Sequence, residues 1–347
     1  MKKFIWKTLL YSFPIILPIV FYAMCISPHI HGDLGKLGQY TFSDDYIVET
    51  SKKIGYVHNI HYKDTALDGI LVIGDSFSQP SGHSYTSYLA SWSTKNIYNL
   101  HADWYISPFN RCLFLANQKL IPKIVILESV ERHLPERLLS AKFAFSPQEM
   151  ICKSIIDTTH YETKHRVKKS SETSLLLETS MWVKRRIDYF GYANPVRKTT
   201  LHTSMFTCEG EETSLYFYQD DLHYSHSKDT LSLMAAKMDS LFAFANANDI
   251  HIYVLIAEDK YDLYQTYIAD TAHWEKTLLE DFCPLVQTPY LINSKDTLSK
   301  MAAAGVKDIY YCNDTHWSPI GAEAVAMQVA QRIMELEGDS TLFHLPR

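Results

Sequence analysis

The sequence predicts an α/β fold, a parallel sheet with helices on both faces, and three observations carry that expectation. Short runs that are apolar at every position, such as Ile70-Leu71-Val72-Ile73 and Ile124-Val125-Ile126-Leu127, suit strands covered on both sides. Amphipathic segments of helical length lie between these runs, so strand and helix alternate. The first run stops at Gly74-Asp75-Ser76, a tight turn of the kind that leaves a side chain exposed at the carboxyl end of a sheet.

In chain order, Lys2, Lys3 and Lys7 precede an uncharged run from Thr8 to Ile26, about long enough to span a bilayer core. The basic flank assigns the amino terminus to the cytoplasm. Pro14 and Pro18 predict a kink. Tyr22-Ala23-Met24-Cys25 is a poor match to a small-x-small cleavage site, so an uncleaved transmembrane anchor over 1–27 is expected rather than a cleaved signal peptide. An extracytoplasmic domain, 28–347, then follows. From Ser27 to Asp68 the chain is polar and aromatic without clear period, an irregular lead-in.

Beyond the Ser76 turn the pattern predicts a helix over 81–93, a strand over 96–100, a helix over 108–120 and a strand over 123–128. From about 140 to 227 the alternation breaks, and basic runs occur at His165-Arg166-Val167-Lys168-Lys169 and Lys184-Arg185-Arg186. This stretch is expected to be an insertion, placed as a lid, with the basic runs on a solvated face. The pattern resumes with a helix over 228–247, a strand over 251–256, a helix over 262–281, a weaker strand over 285–291 and a closing helix over 320–336.

A net charge of −6 leaves no footprint for nucleic acid. Six cysteines include Cys25 in the apolar run. The other five, Cys112, Cys152, Cys208, Cys283 and Cys312, cannot all pair within one chain, and none forms a C-x-x-C spacing. The pairs His29/His31, His160/His165 and His223/His226 bring no third ligand at a recognised spacing, so neither metal nor cofactor is expected. Asn313-Asp314-Thr315 also matches a glycosylation acceptor.

The chemistry points to two distant segments. Ser76 ends a buried strand, where a hydroxyl can act as nucleophile once a base takes its proton. Asp314 and His316 offer that base and the carboxylate that orients it. They precede Ser318-Pro319, an N-cap and first helical residue. The expected catalytic set is Ser76, His316 and Asp314, with Asp75 shaping the turn.

Gly74-Asp75-Ser76-Phe77 and Asp314-Thr315-His316-Trp317 resemble the motifs of the SGNH/GDSL hydrolase superfamily, and the Asp-x-His-Trp form is similar to that of the alginate O-acetyltransferases AlgX and AlgJ. Ile124 to Arg132 and Tyr253 to Tyr264 add weaker likeness. In those enzymes the Asp-His motif precedes the serine. Here the serine comes first, as in the anchored teichoic-acid D-alanylation protein DltD. The superfamily's usual oxyanion glycine and asparagine have no clear match, since Leu100-His101-Ala102-Asp103 follows the second strand.

The resemblance implies an SGNH-type sheet and two-step acyl transfer by an anchored, extracytoplasmic O-acyltransferase (single-pass in the inner or plasma membrane, periplasmic in a Gram-negative cell). The acyl group, acetyl, would come from a membrane O-acyltransferase partner and pass to a polysaccharide acceptor. The oxyanion would be met by the Ser76 N–H and a donor near Ala102, and Arg132 would either supply charge or pair with a carboxylate. An acetyl esterase of the same fold and a non-catalytic glycan-binding subunit are the alternatives.

Overall fold

Ile70, Leu71, Val72 and Ile73 are apolar at every position because both faces of their strand are covered. Ile70 and Val72 point into one core and Leu71 and Ile73 into another, and all four are essentially inaccessible to water. The computed structural model describes residues 6–8, 11–14, 32–38, 40, 42, 46, 48, 50, 52–59, 68–80, 82–102, 107–144, 195–222, 226–270 and 276–346.

In chain order these form α1 (Asp33–Gly38), β1 (His58–Asn59), β2 (Gly69–Gly74), α2 (Tyr85–Trp92), β3 (Asn96–His101), α3 (Pro108–Asn117), β4 (Ile124–Val130) and α4 (Leu134–Leu139). There follow β5 (Val196–Thr200), β6 (Ser214–Tyr218), α5 (Lys228–Ala247), β7 (His251–Ala257), α6 (Lys260–Tyr264), α7 (Leu278–Phe282), β8 (Leu291–Asn293), α8 (Lys295–Ala303) and α9 (Pro319–Glu337).

The main sheet has the order β1-β3-β2-β4-β7-β8 and is parallel throughout. Five strands form its body, and two-residue β1 extends one edge. From β2 the chain crosses to β3 on one side and then to β4 on the other, so the order reverses at β2. That reversal opens a crevice above the carboxyl end of β2, where Ser76 lies. Helices α2 and α9 cover one face, with Tyr85, Leu89, Val325 and Val329 in the core. Helices α3, α4 and α5 cover the other, with Phe109, Leu134, Met234 and Met238.

Several expectations hold and several need correction. The closing helix starts where Ser318-Pro319 predicts: Ser318 Oγ accepts from the Ile320 N–H at 3.0 Å, Pro319 occupies the first turn, and Gly338 ends the helix at φ 66°. The single helix expected over 262–281 is replaced by α6, a 3₁₀ turn at Gln265–Tyr267 and α7. Tertiary contacts override helical period here. Ile268 bridges to Leu201, and the Gln265 amide bonds both the N–H and the carbonyl of Lys276. The weak strand lies at Leu291–Asn293 rather than 285–291, because Cys283–Leu285, containing Pro284, forms a 3₁₀ turn and Pro289 lacks a ladder donor. Helix α8 had no counterpart in the sequence pattern, since it buries only Leu298 and Ala302.

Of the expected insertion, 145–194 and its basic runs lie outside the described residues. The rest includes the antiparallel hairpin β5–β6, whose Leu215, Tyr216 and Phe217 pack into the core. The anchor expected over 1–27 falls mostly outside the described residues, among which no helix is long and apolar enough to cross a membrane.

Candidate active site

The turn after β2 is held by its own carboxylate. Asp75 Oδ1 accepts from the Phe77 N–H at 3.1 Å. Its Oδ2 accepts from the Val130 N–H at 3.1 Å and from Arg137 Nη1 at 2.6 Å. Burial would raise the Asp75 pKa, but the Arg137 guanidinium outweighs it and keeps the carboxylate charged. Glu128 braces the turn from β4, its Oε2 accepting from the Asp75 N–H at 2.9 Å and from Ser78 Oγ at 2.8 Å. Gly74 is required for this closeness, because a Cβ there would stand 2.2 Å from Ser78 Oγ and 2.4 Å from Glu128 Oε2. Ser76 is left half-buried, and no acceptor among the described residues takes its N–H.

The second segment arrives from the far end of the chain. Tyr310 bridges to Trp317, so residues 311–316 form a short loop ahead of α9. His316 Nδ1 donates to Asp314 Oδ1 at 2.5 Å, and the same oxygen accepts the His316 backbone N–H at 3.0 Å. With Nδ1 protonated against a carboxylate, Nε2 is the acceptor, and Ser76 Oγ–H lies 2.7 Å from it. Phe77 packs against both the imidazole and Trp317, at 4.9 and 4.7 Å between ring centroids, and fixes the ring plane.

Burial alone would lower the His316 pKa, but the hydrogen bond and charge of Asp314, helped by Asp33 and Asp75, carry it above the usual imidazole value. Burial would likewise raise Asp314, and its bonds to His316 instead bring it to about 2. Such a chain of hydroxyl, imidazole and carboxylate can take the hydroxyl proton and stabilise the imidazolium that results.

Two supports of this loop went unseen in the sequence. The first is Lys260, fully buried, whose Nζ donates to the backbone carbonyls of Tyr311 at 2.7 Å, Cys312 at 2.8 Å and Asp314 at 3.2 Å. The second is Asp33 in the lead-in, whose side chain accepts from the Thr315 N–H at 2.8 Å and from Tyr218 Oη at 2.9 Å. Its backbone N–H donates to Asp314 Oδ2 at 3.1 Å. A lone aspartate in an aperiodic stretch carries no signal of such a contact. Tyr261 and Tyr264 are buried packing residues.

A cleft of about 160 Å³ opens beside Ser76, with Gln79, His83, Ser84, Tyr311 and Trp317 among its walls. On the other side of Ser76 a much smaller pocket of about 20 Å³ is lined by His101, Ala102, Val130, Arg132, His133 and Arg137. The donor expected near Ala102 needs correcting at that residue: the Ala102 N–H extends the sheet by donating to the Gly74 carbonyl at 2.7 Å. Of the two roles weighed for Arg132, the structure supplies the carboxylate pair. Its Nη1 lies 2.6 Å from Asp259 and 3.4 Å from Asp221, and both carboxylates are buried.

Among the described residues one group of three offers ligand atoms within 4.8 Å of one another, namely Asp33, Asp314 and His316. These three residues are engaged in hydrogen bonds among themselves and to Ser76, Thr315 and Tyr218. His29, His31, His160, His165 and His223 lie outside the described residues. Asn313 is buried, and a Cβ on Gly32 would stand 2.1 Å from its carbonyl oxygen, so the glycosylation match does not present an accessible acceptor. No disulfide links Cys112, Cys208, Cys283 and Cys312, the described cysteines.

No curated protein matches the chain. Residues 207–343 match the family model described as the SGNH hydrolase-like domain of acetyltransferase AlgX, a span that contains Asp314 and His316 and omits Ser76. The α/β architecture, with its parallel sheet between helices, fits that kind of fold. Over its carboxy-terminal part the chain is therefore similar to the SGNH hydrolase-like domain of the acetyltransferase AlgX.

Proposed function

We propose that this protein is a serine O-acyltransferase that moves an acetyl group onto a hydroxyl of an extracytoplasmic polysaccharide. One observation carries the proposal: Ser76 Oγ, His316 and Asp314 stand in a continuous hydrogen-bonded line at the reversal point of the sheet. The similarity to an acetyltransferase domain supports the acyl group and the reaction type.

In the first half-reaction His316 Nε2 takes the Ser76 proton as Oγ attacks the acyl carbonyl carbon. The oxyanion meets the Ser76 N–H, a donor worth on the order of 10²-fold or more in rate. Collapse breaks the bond to the donor's leaving group, which takes the proton from His316, and leaves acetyl on Ser76. In the second half an acceptor hydroxyl gives its proton to His316, attacks the acetyl-serine and departs as an ester while Ser76 recovers its proton. Polar and aromatic walls around the cleft, Gln79, His83, Ser84 and Tyr311, suit a hydroxyl-rich acceptor.

The proposal extends to an anchor over 1–27, an extracytoplasmic domain over 28–347 with an insertion at about 140–227, and a membrane O-acyltransferase that delivers the acetyl group. The uncharged run behind three lysines supports the anchor. Turnover of a chromogenic acetyl ester by the wild type and Ser76→Ala, with and without added polysaccharide, tests the reaction. Ser76-dependent turnover that rises with acceptor is expected. Turnover insensitive to acceptor makes the protein an esterase, and none in either condition leaves a binding subunit.

A further inference from the structure

The Asp33 side chain takes no step in this mechanism, yet it is built into the loop that carries it out. Gly32 approaches the Asn313 carbonyl in a left-handed conformation, φ 77°, too closely for any Cβ, and the Gly35 N–H donates to the same carbonyl at 3.2 Å. That docking delivers Asp33 to the Thr315 N–H on one carboxylate oxygen and to Tyr218 Oη, from the β5–β6 hairpin, on the other.

We propose that Asp33 is a positioning residue for proton transfer between Ser76 and His316, its carboxylate holding the Asp314–His316 segment in register and setting a second negative charge behind the imidazole. The activity readout of this proposal rests on the acyl-transfer reading of the site, but its electrostatic readout does not.

The charge is the telling feature. An asparagine would still accept from the Thr315 N–H, without the charge that strengthens the bond, and would avoid placing one carboxylate beside another. A merely structural brace has no need of that repulsion. Burial and the Asp314 charge raise the Asp33 pKa above the ordinary carboxylate value, a rise that His316, the Thr315 N–H and the Tyr218 hydroxyl oppose. The charged groups facing this corner are Asp314 and His316 on the loop, Asp75 from the β2 turn, Lys260 behind the loop from α6, and Arg132 on the far side of the Tyr218 ring at 5.2 Å. Asp33 itself joins the lead-in to the hairpin through Tyr218 and to the His316 loop through Thr315.

The test compares wild type, Asp33→Asn and Tyr218→Phe by three measurements: kcat and KM on a chromogenic acetyl ester, the rate at which a fluorophosphonate labels Ser76, and the titration midpoint of the His316 ring by NMR. In a folded Asp33→Asn, kcat and labelling should fall about tenfold with KM unchanged, as for a lost charge-assisted hydrogen bond, and the His316 midpoint should move down. Tyr218→Phe should move both in the same direction by less. An unchanged midpoint with unchanged labelling in folded Asp33→Asn overturns the proposal, as does a loss of activity that only tracks the unfolded fraction. Should Asp33→Asn not fold, Tyr218→Phe decides by the same criteria. If wild-type Ser76 itself resists the probe, the acyl-transfer reading fails, and the His316 midpoint alone decides for or against Asp33.

Discussion

Under the proposed reaction, substitution of Ser76, His316 or Asp314 should separate activity from stability. Ser76 is half-buried at a turn fixed by its neighbours, so Ser76→Ala should leave the thermal midpoint within a few degrees while turnover falls on the order of 10³-fold or more. The base must be neutral to accept a proton, and the His316 pKa is raised, so activity should climb with pH through a midpoint above that of a free imidazole. Stability from the same group runs the other way. A raised folded-state pKa gives stabilisation that is full below the unfolded value of about 6.5 and is lost as pH rises through the folded value. Asp314, held at about 2, stabilises above the ordinary carboxylate value and loses that contribution as pH falls towards 2. A pH–rate profile set beside a pH–melting profile checks both signs.

At the scale of elements, the β2 turn and the 311–316 loop are each held by a group that tolerates no simple replacement. Gly74→Ala would drive a methyl group into Ser78 Oγ and Glu128, at an expected cost of about 1–3 kcal/mol and with a displaced Ser76, measurable as lost turnover in a still-folded protein. Lys260→Met would leave three loop carbonyls without their donor. We expect about 3 kcal/mol of destabilisation from chemical denaturation, and a loss of activity larger than the folded fraction explains.

Lys260 also makes a pH prediction of unusual sign. Burial pushes its ammonium down to about 8 from 10.5, so over that window the unfolded chain binds a proton that the folded chain has released. Linkage from this group then raises global stability with pH, while the loop loses a charged clamp. Activity should fall above pH 8 without a matching fall in the melting temperature attributable to this lysine.

Across the whole molecule, ion pairs buried between elements tie the site to the scaffold. Arg132, just after β4, meets Asp259 at the end of β7 and Asp221 after β6, and Lys276 reaches both Asp259 and Glu131. Arg132→Met should cost about 3–5 kcal/mol, because it strips a partner from two buried carboxylates, with activity falling only in step with the folded fraction. A role in substrate charge would instead lower turnover in protein that remains folded.

The sheet itself was legible because strands buried on both faces must be apolar at every position, and Ile70–Ile73, Ile124–Leu127 and Ile252–Ile256 meet that requirement with no help from context. The Ser76 turn and the Ser318-Pro319 helix start were legible for the same local reason, since turns and caps are fixed by residues a few positions apart. The broken segment 260–282 was not, because Gln265 and Lys276 settle it by a contact across a loop, and the unforeseen helix α8 shows too narrow an apolar stripe to betray itself. By itself the sequence determined an alternating α/β chain and named a hydroxyl, an imidazole and a carboxylate as partners. Only tertiary structure decided that they meet within hydrogen-bonding distance, that Ala102 gives its N–H to the sheet, and that Asp33 and Lys260 brace the loop, because those contacts join segments whose proximity no local pattern encodes.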